Sequence, residues 1–154
     1  VAERAGTTKS ALYRRWSSKA ELAHEAAFSV PPSAVTSSAG DVAADLGGMI
    51  AGARDVFTSP VVRAALPGLI ADMANDAELT ARVLDRLTGL FEVLRHWVAE
   101  AVDRGDARRE VDPDRLLEVI GGATLFALML RPGTDLTDDW VDRLAVIVVH
   151  GVMT

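Results

Sequence analysis

The sequence predicts an all-α protein in two parts. Three observations carry that reading: apolar residues recur at steps of three and four with no convincing period-2 strand; capping residues open almost every periodic run; and one stretch, "SVPPSAVTSSAGD" at 29–41, is rich in Pro, Ser and Gly and reads as a connection. The expected division is a short head, residues 1–30, and a larger body, residues 31–154. About half of the 154 residues are apolar, enough for a sizeable core.

In the head, "VAERA" reads as the end of a short helix, closed by Gly6 as a left-handed turn residue. Thr8 then caps a helix running through Trp16. Ser18, with Glu21 three residues on, makes a capping box for a third helix that reaches about Phe28.

In the body, a helix is expected from about Asp41 to Thr58, weakened by Gly47, Gly48 and Gly52. Pro60 and Pro67 bracket a short helix and open another that ends near Asn75. The strongest period follows: Val83, Leu87, Leu90, Leu94, Trp97 and Ala101 form one row, with Leu84, Phe91 and Val98 beside it. A helix from about Asp76 to Arg104 would be roughly 43 Å long, the spine of the body, with Gly105 as its stop. Asp112 caps the next helix and Pro113 takes its first position. From Leu116 to Leu130 only Glu118 is charged, so this helix must be covered on more than one side. Thr137, followed by Asp138 and Asp139 at a favourable helix N-terminus, starts the last one, with Trp140, Leu144, Ile147, Val148 and Gly151 on one stripe. These patterns leave burial in one core and a dimer interface equally open for the last two helices.

The chain has no cysteine, which removes disulfides and thiolate chemistry and fits a reducing compartment. No apolar run approaches the roughly 20 residues of a membrane span, and the start lacks the build of a signal peptide, so a cytoplasmic protein without membrane partners is expected. The formal charge of −6 is uneven. Arg4, Lys9, Arg14, Arg15 and Lys19 stand against Glu3, Glu21 and Glu25 in the first 30 residues, a balance of +2, and the other 124 residues carry −8. Four cations and no acid between Thr8 and Ala20 make a field suited to a phosphate backbone.

At 100° per residue, Lys9, Ser10, Tyr13 and Arg14 share one side of the second helix, and Leu12 and Trp16 the other. A short helix, a glycine turn and a second helix with a polar face make a helix-turn-helix arrangement. "VAERAGTTKSALYRRWSSKAELAHEA" resembles the DNA-binding motif of TetR-type transcriptional regulators: Gly6, Leu12-Tyr13, Trp16 and Lys19 stand where that pattern has its turn glycine, leucine-tyrosine pair, aromatic residue and lysine. "VDRGDARREVDPDRLLEVIGG" resembles the bend between the long helix and the dimer helices of that family. The resemblance implies that Thr7, Thr8, Lys9 and Ser10 approach base edges, that Tyr13 and Lys19 contact phosphates together with the helix end capped by Ser18, and that Arg14 serves either role. Family members carry a complete first helix and most of the second ahead of the position that is Val1 here. The supporting helices of an otherwise incomplete helix-turn-helix domain are therefore expected upstream.

The resemblance further implies a helical sensor for a small-molecule effector. Met49, Phe57, Met73, Phe91, His96 and Trp97, on the middle helices, are its candidate lining, although such residues are also ordinary core, and a buried imidazole in a satisfied site is the plainer reading of His96. It implies a homodimer through the last two helices, with Leu116, Ile120, Thr124, Leu128, Trp140, Leu144, Ile147, Val148 and Gly151 as candidate interface. Such a dimer presents two recognition helices to a palindromic double-stranded DNA operator, and effector binding releases it, so repression is the expected mode. No cofactor is implied. His24 and His150 make no metal-ligand spacing, and the chain has no G-x-G-x-x-G, P-loop, G-x-S-x-G or H-E-x-x-H. A helical interaction module that has lost DNA binding, or a small helical enzyme, are the competing readings.

Overall fold

The structure, a computed structural model, describes Thr8, Ser10, Ala11, Arg14 and residues 40–130 and 135–153. The helices expected over Val1–Ala5 and Ser18–Phe28, and the Gly6 turn, lie outside the described residues.

Among the described residues, five helices make the body: α1 (Val42–Thr58), α2 (Pro60–Met73), α3 (Ala77–Arg104), α4 (Pro113–Leu130) and α5 (Asp138–Val152). Aspartates open three of them. Asp41 accepts from the Ala44 amide at 2.9 Å, Asp76 from the Leu79 amide at 2.9 Å, and Asp112 from the amides of Asp114 and Arg115 at 2.9 and 3.3 Å. Each satisfies a donor with no partner inside its helix, a contribution of about 1 kcal/mol. Thr137 occupies the N-cap position of α5 without a side-chain cap bond, leaving Asp138 and Asp139 to favour that end through charge.

Ser59 closes α1 and opens α2, accepting from the Val62 amide at 3.3 Å, and the two axes diverge there by 78°. The break expected at Pro67 is absent: α2 runs through it to Met73. Proline removes the donor that would serve the Arg63 carbonyl. Arg63 and Pro67 are both exposed, so that carbonyl lies on the solvent side and the helix survives the loss.

α1 is the central element, packed against α5, α4 and α2, while α3 packs on α4 and α2. The main core joins Val42, Leu46 and Ile50 of α1, Leu94, Trp97, Val98 and Ala101 of α3, Leu116 and Ile120 of α4, and Val141, Val148 and Val152 of α5. Leu46 and Ile50 are fully buried, each side chain stabilising the fold by about 1.5–3 kcal/mol relative to exposure. A smaller cluster of Leu69, Leu79 and Val83, flanked by Met73 and Leu87, joins α2 to the first half of α3. Leu84, one position beyond Val83 and so about 100° round the helix, misses that cluster and is 53% exposed, where the sequence pattern placed it in a packed row.

Gly105 ends α3 in the left-handed region, at φ 83, as expected. The chain then turns back. Ala107 is buried and bridges Met153, the Arg108 amide donates to the Val152 carbonyl at 2.9 Å, and the Arg108 Nε donates to the Met153 carbonyl at 2.7 Å. The bend between α3 and α4 is therefore tied to the end of α5.

Candidate functional site

Three regions hold the residues singled out in the sequence. In the head, the Ala11 amide lies 3.1 Å from the Thr8 carbonyl and 3.2 Å from the Thr8 Oγ1, the geometry of an N-cap. Ser10, Ala11 and Arg14 are helical, and Ser10 and Arg14, four residues apart, share a face. Thr8, Ser10 and Arg14 are exposed and Ala11 is half-buried. Thr7, Lys9, Tyr13 and Lys19 lie outside the described residues.

The structure disperses the six residues expected to line an effector site rather than gathering them. Met49 packs on the main core and Met73 on the smaller cluster. Phe57 is half-buried near the end of α1. Phe91 is half-buried beneath the Arg95 guanidinium, whose carbon stands 5.7 Å from the ring centre. His96 is 77% exposed, its Nε2 3.3 Å from Glu100 Oε1 one turn on, so it neither lines an interior nor sits as a buried imidazole. The reason is rotational: Trp97 takes the core-facing position and turns its neighbour to solvent.

Trp97 is buried, and its Nε1–H donates to Asp45 Oδ2 at 2.9 Å. Asp45 is 4% exposed and stands in the first turn of α1. A carboxylate in apolar surroundings is costly; the indole donor and the amide end of α1 offset part of that cost. Sequence reasoning missed Asp45, and the available signal was a single acid inside the otherwise apolar run "VAADLGGMIAG".

The third region is the outer side of α4 and α5. Leu116, Ile120 and Thr124, expected at an interface, are buried in the chain's own core, with the Thr124 hydroxyl donating to the Ile120 carbonyl at 2.8 Å; Val148 is buried as well. Leu128, Trp140 and Leu144 are half-buried. Ile147 and Gly151 are exposed. The open apolar surface instead comprises Val119, Phe126, Met129 and Leu130 on α4 and Val146 and Ile147 on α5, from 50% exposed at Val119 to 69% at Ile147. Both helices turn their other sides to α1, and this fixes which residues remain outside.

Ion pairs connect α1 and α3 to these two helices. Arg54 of α1 reaches Asp138 of α5 at 2.5 Å while also holding Asp55, and both acids raise its pKa above the ordinary arginine value, Asp138 the more. Arg95 of α3 grips Asp114 of α4 through two bonds of 3.0 and 2.8 Å, which likewise raises its pKa. Arg115 pairs with Glu118, and Arg143 with Asp139, along the helix surfaces. Among the described residues no three His, Asp or Glu side chains stand together as metal ligands, and no single helix is long and apolar enough to cross a membrane.

Comparison with known proteins gives this arrangement a context. Residues 37–148 match the tetracyclin repressor-like C-terminal domain, and residues 1–26 match the bacterial regulatory proteins of the tetR family. No curated protein matches the chain. Among solved structures it is similar to the crystal structure of TetR family transcription regulator SCO0332, at 28% identity and a TM-score of 0.68 over 97% of this chain and 82% of that one. A helix-turn-helix motif ahead of an all-helical body defines a class, the DNA-binding transcriptional regulators, which act by binding and are not enzymes. Within it, this chain belongs to the TetR family.

Proposed function

We propose that this regulator binds a palindromic double-stranded DNA operator as a homodimer and leaves it when a small-molecule effector enters the helical body, acting as a repressor in the cytoplasm. Residues 1–30 contribute to the DNA-binding head and residues 31–154 form the sensor and dimerisation part. Thr7, Thr8, Lys9 and Ser10 approach base edges, Tyr13 and Lys19 hold phosphates, and Arg14 joins either set. The cap at Thr8 supports this reading, since it starts a helix there on which Ser10 and Arg14 are exposed.

The observation that carries the dimer is the open apolar surface of α4 and α5. Phe126, Met129, Leu130 and Ile147 are each more than 60% exposed, and a patch of this kind on a small domain marks an interaction site. A twofold axis between two such faces is self-complementary and sets two recognition helices at a fixed separation. Met49 and Phe57 of α1 and Phe91 and Trp97 of α3 are the candidate effector contacts that remain. An effector moves the equilibrium only by binding one separation of the heads better than the other.

Sedimentation equilibrium and a gel shift of the full-length protein against DNA upstream of its own gene test the reading. A dimer at micromolar concentration that retards this DNA at low salt is the expected result. A monomer, or no retardation, overturns it.

A further inference from the structure

We infer that His150 makes the pairing of two copies acid-sensitive: a neutral imidazole lets the outer faces of α4 and α5 close on a second copy, and an imidazolium opposes it. The inference deepens the proposed function and rests on its reading of that surface as the contact with a second copy. The open apolar surface lies on Val119–Leu130 of α4 and Val146–Met153 of α5, and in these two stretches His150 is the sole ionisable side chain. It is exposed, one turn beyond the exposed Val146 and Ile147, so the three share a face of α5. Its Nδ1 stands 2.6 Å from the Val146 carbonyl. A carbonyl only accepts, so Nδ1 carries the proton of the neutral ring, and a second proton goes to Nε2 on the far side of the ring from that bond.

The other charges near this surface find partners within one copy. On α5, Arg143 is held by Asp139 at 2.8 Å, and on α4 Arg115 is held by Glu118. Asp142 is exposed eight residues before His150, about 12 Å away along the helix. α1, on which α5 chiefly packs, brings Arg54 and Asp55 to the opposite end of α5, where Arg54 holds Asp138; its Asp41 and Asp45 serve the Ala44 amide and the Trp97 indole. The bend before α4 brings Arg108, which donates to the carbonyl of Met153, three residues beyond His150, with Arg109 and Glu110 exposed after it. Among the described residues no acid pairs with His150.

A twofold pairing doubles every charge on the face. Two neutral rings lose little when water leaves, whereas two imidazoliums give up hydration among apolar side chains with no acid to receive them. Pairing is therefore full above the ordinary titration range of histidine and is lost as the pH falls through it. Release of the operator follows, because the two heads no longer act together.

Sedimentation equilibrium of the full-length protein at about pH 7.5 and about pH 5.5, on either side of that range, tests the inference. Wild type is read beside His150→Gln, which stays neutral and keeps a donor for the Val146 carbonyl, and His150→Arg, which stays charged. We expect the dissociation constant of the wild-type dimer to rise roughly tenfold or more on acidification, that of His150→Gln to change less than about twofold, and His150→Arg to pair weakly at both pH values. His96→Gln, which removes an exposed imidazole of α3, should respond as wild type does. A wild-type dimer equally tight at both pH values, one that tightens in acid, an equal loss in His150→Gln, or a His150→Arg dimer as tight as wild type overturns the inference. Each of these leaves the regulator reading standing if the wild-type dimer at the higher pH retards its DNA. A wild-type monomer at the higher pH overturns both. Should acid unfold the wild type, His150→Arg at the higher pH still decides.

Discussion

The indole of Trp97 donates to the Asp45 carboxylate at 2.9 Å, and this bond joins the first turn of α1 to the second half of α3 inside the main core. α1 is the first helix of the body, so the contact links it to the long helix α3.

Breaking that bond from either side should cost stability unequally. Trp97→Phe strips the buried carboxylate of a donor and should destabilise by about 2–4 kcal/mol. Replacing both partners, as Asp45→Leu with Trp97→Phe, should recover part of the loss, since the carboxylate goes together with its indole donor. Urea denaturation of the four proteins gives the coupling, and strictly additive losses would show that the two side chains act independently.

Leu46 is fully buried at the centre of the main core. Leu46→Ala should lower stability by about 2–5 kcal/mol through lost transfer energy and the cavity left behind. The same substitution at the exposed Leu84 should stay within about 0.5 kcal/mol. Thermal unfolding followed by circular dichroism separates them.

Gly105 is held at φ 83, which side-chain-bearing residues reach at a cost. Gly105→Ala should destabilise by roughly 1–2 kcal/mol, a fall of several degrees in Tm. A Tm unchanged within a degree would mean that the bend between α3 and α4 relaxes freely, in spite of its ties to Val152 and Met153.

Much of the fold was legible because its signals are local. Asp41, Asp76 and Asp112 each serve amides within three residues, and Gly105 ends its own helix, so neighbouring sequence suffices. Pro67 misled because the rule for proline concerns a missing donor, whereas the outcome depended on whether the Arg63 carbonyl faces water. The residues expected at the interface divide between inside and outside for a different reason. A helix apolar nearly all round has no unique stripe, and packing on α1 and α3 decides that Leu116 and Ile120 go inside while Phe126 and Met129 stay out. His96 was legible in principle, since Glu100 one turn on marks an exposed pair. Asp45 was legible only as a single acid in an apolar run, and a lone acid in a helix reads as exterior until α3 is laid across it.

Arg14 is exposed beside Ser10 on the capped helix. If it holds a phosphate, Arg14→Ala should weaken binding to all sequences alike and reduce the salt slope by about 1. If it reads a base, the loss should concentrate at one operator position, and a panel of single base-pair changes distinguishes the two. No change in affinity would remove Arg14 from the interface.

Under the proposed function, DNA recognition by this protein depends on pairing through the outer faces of α4 and α5. Fluorescence anisotropy on a labelled operator, read beside sedimentation for wild type and Ile147→Glu, tests it most directly. Ile147 is 69% exposed, so the substitution leaves the fold intact; the account predicts a folded monomer whose operator affinity falls by about a hundredfold or more, since the avidity of two linked heads is lost. A variant that remains dimeric, or a monomer that binds the operator as tightly as wild type, would contradict it.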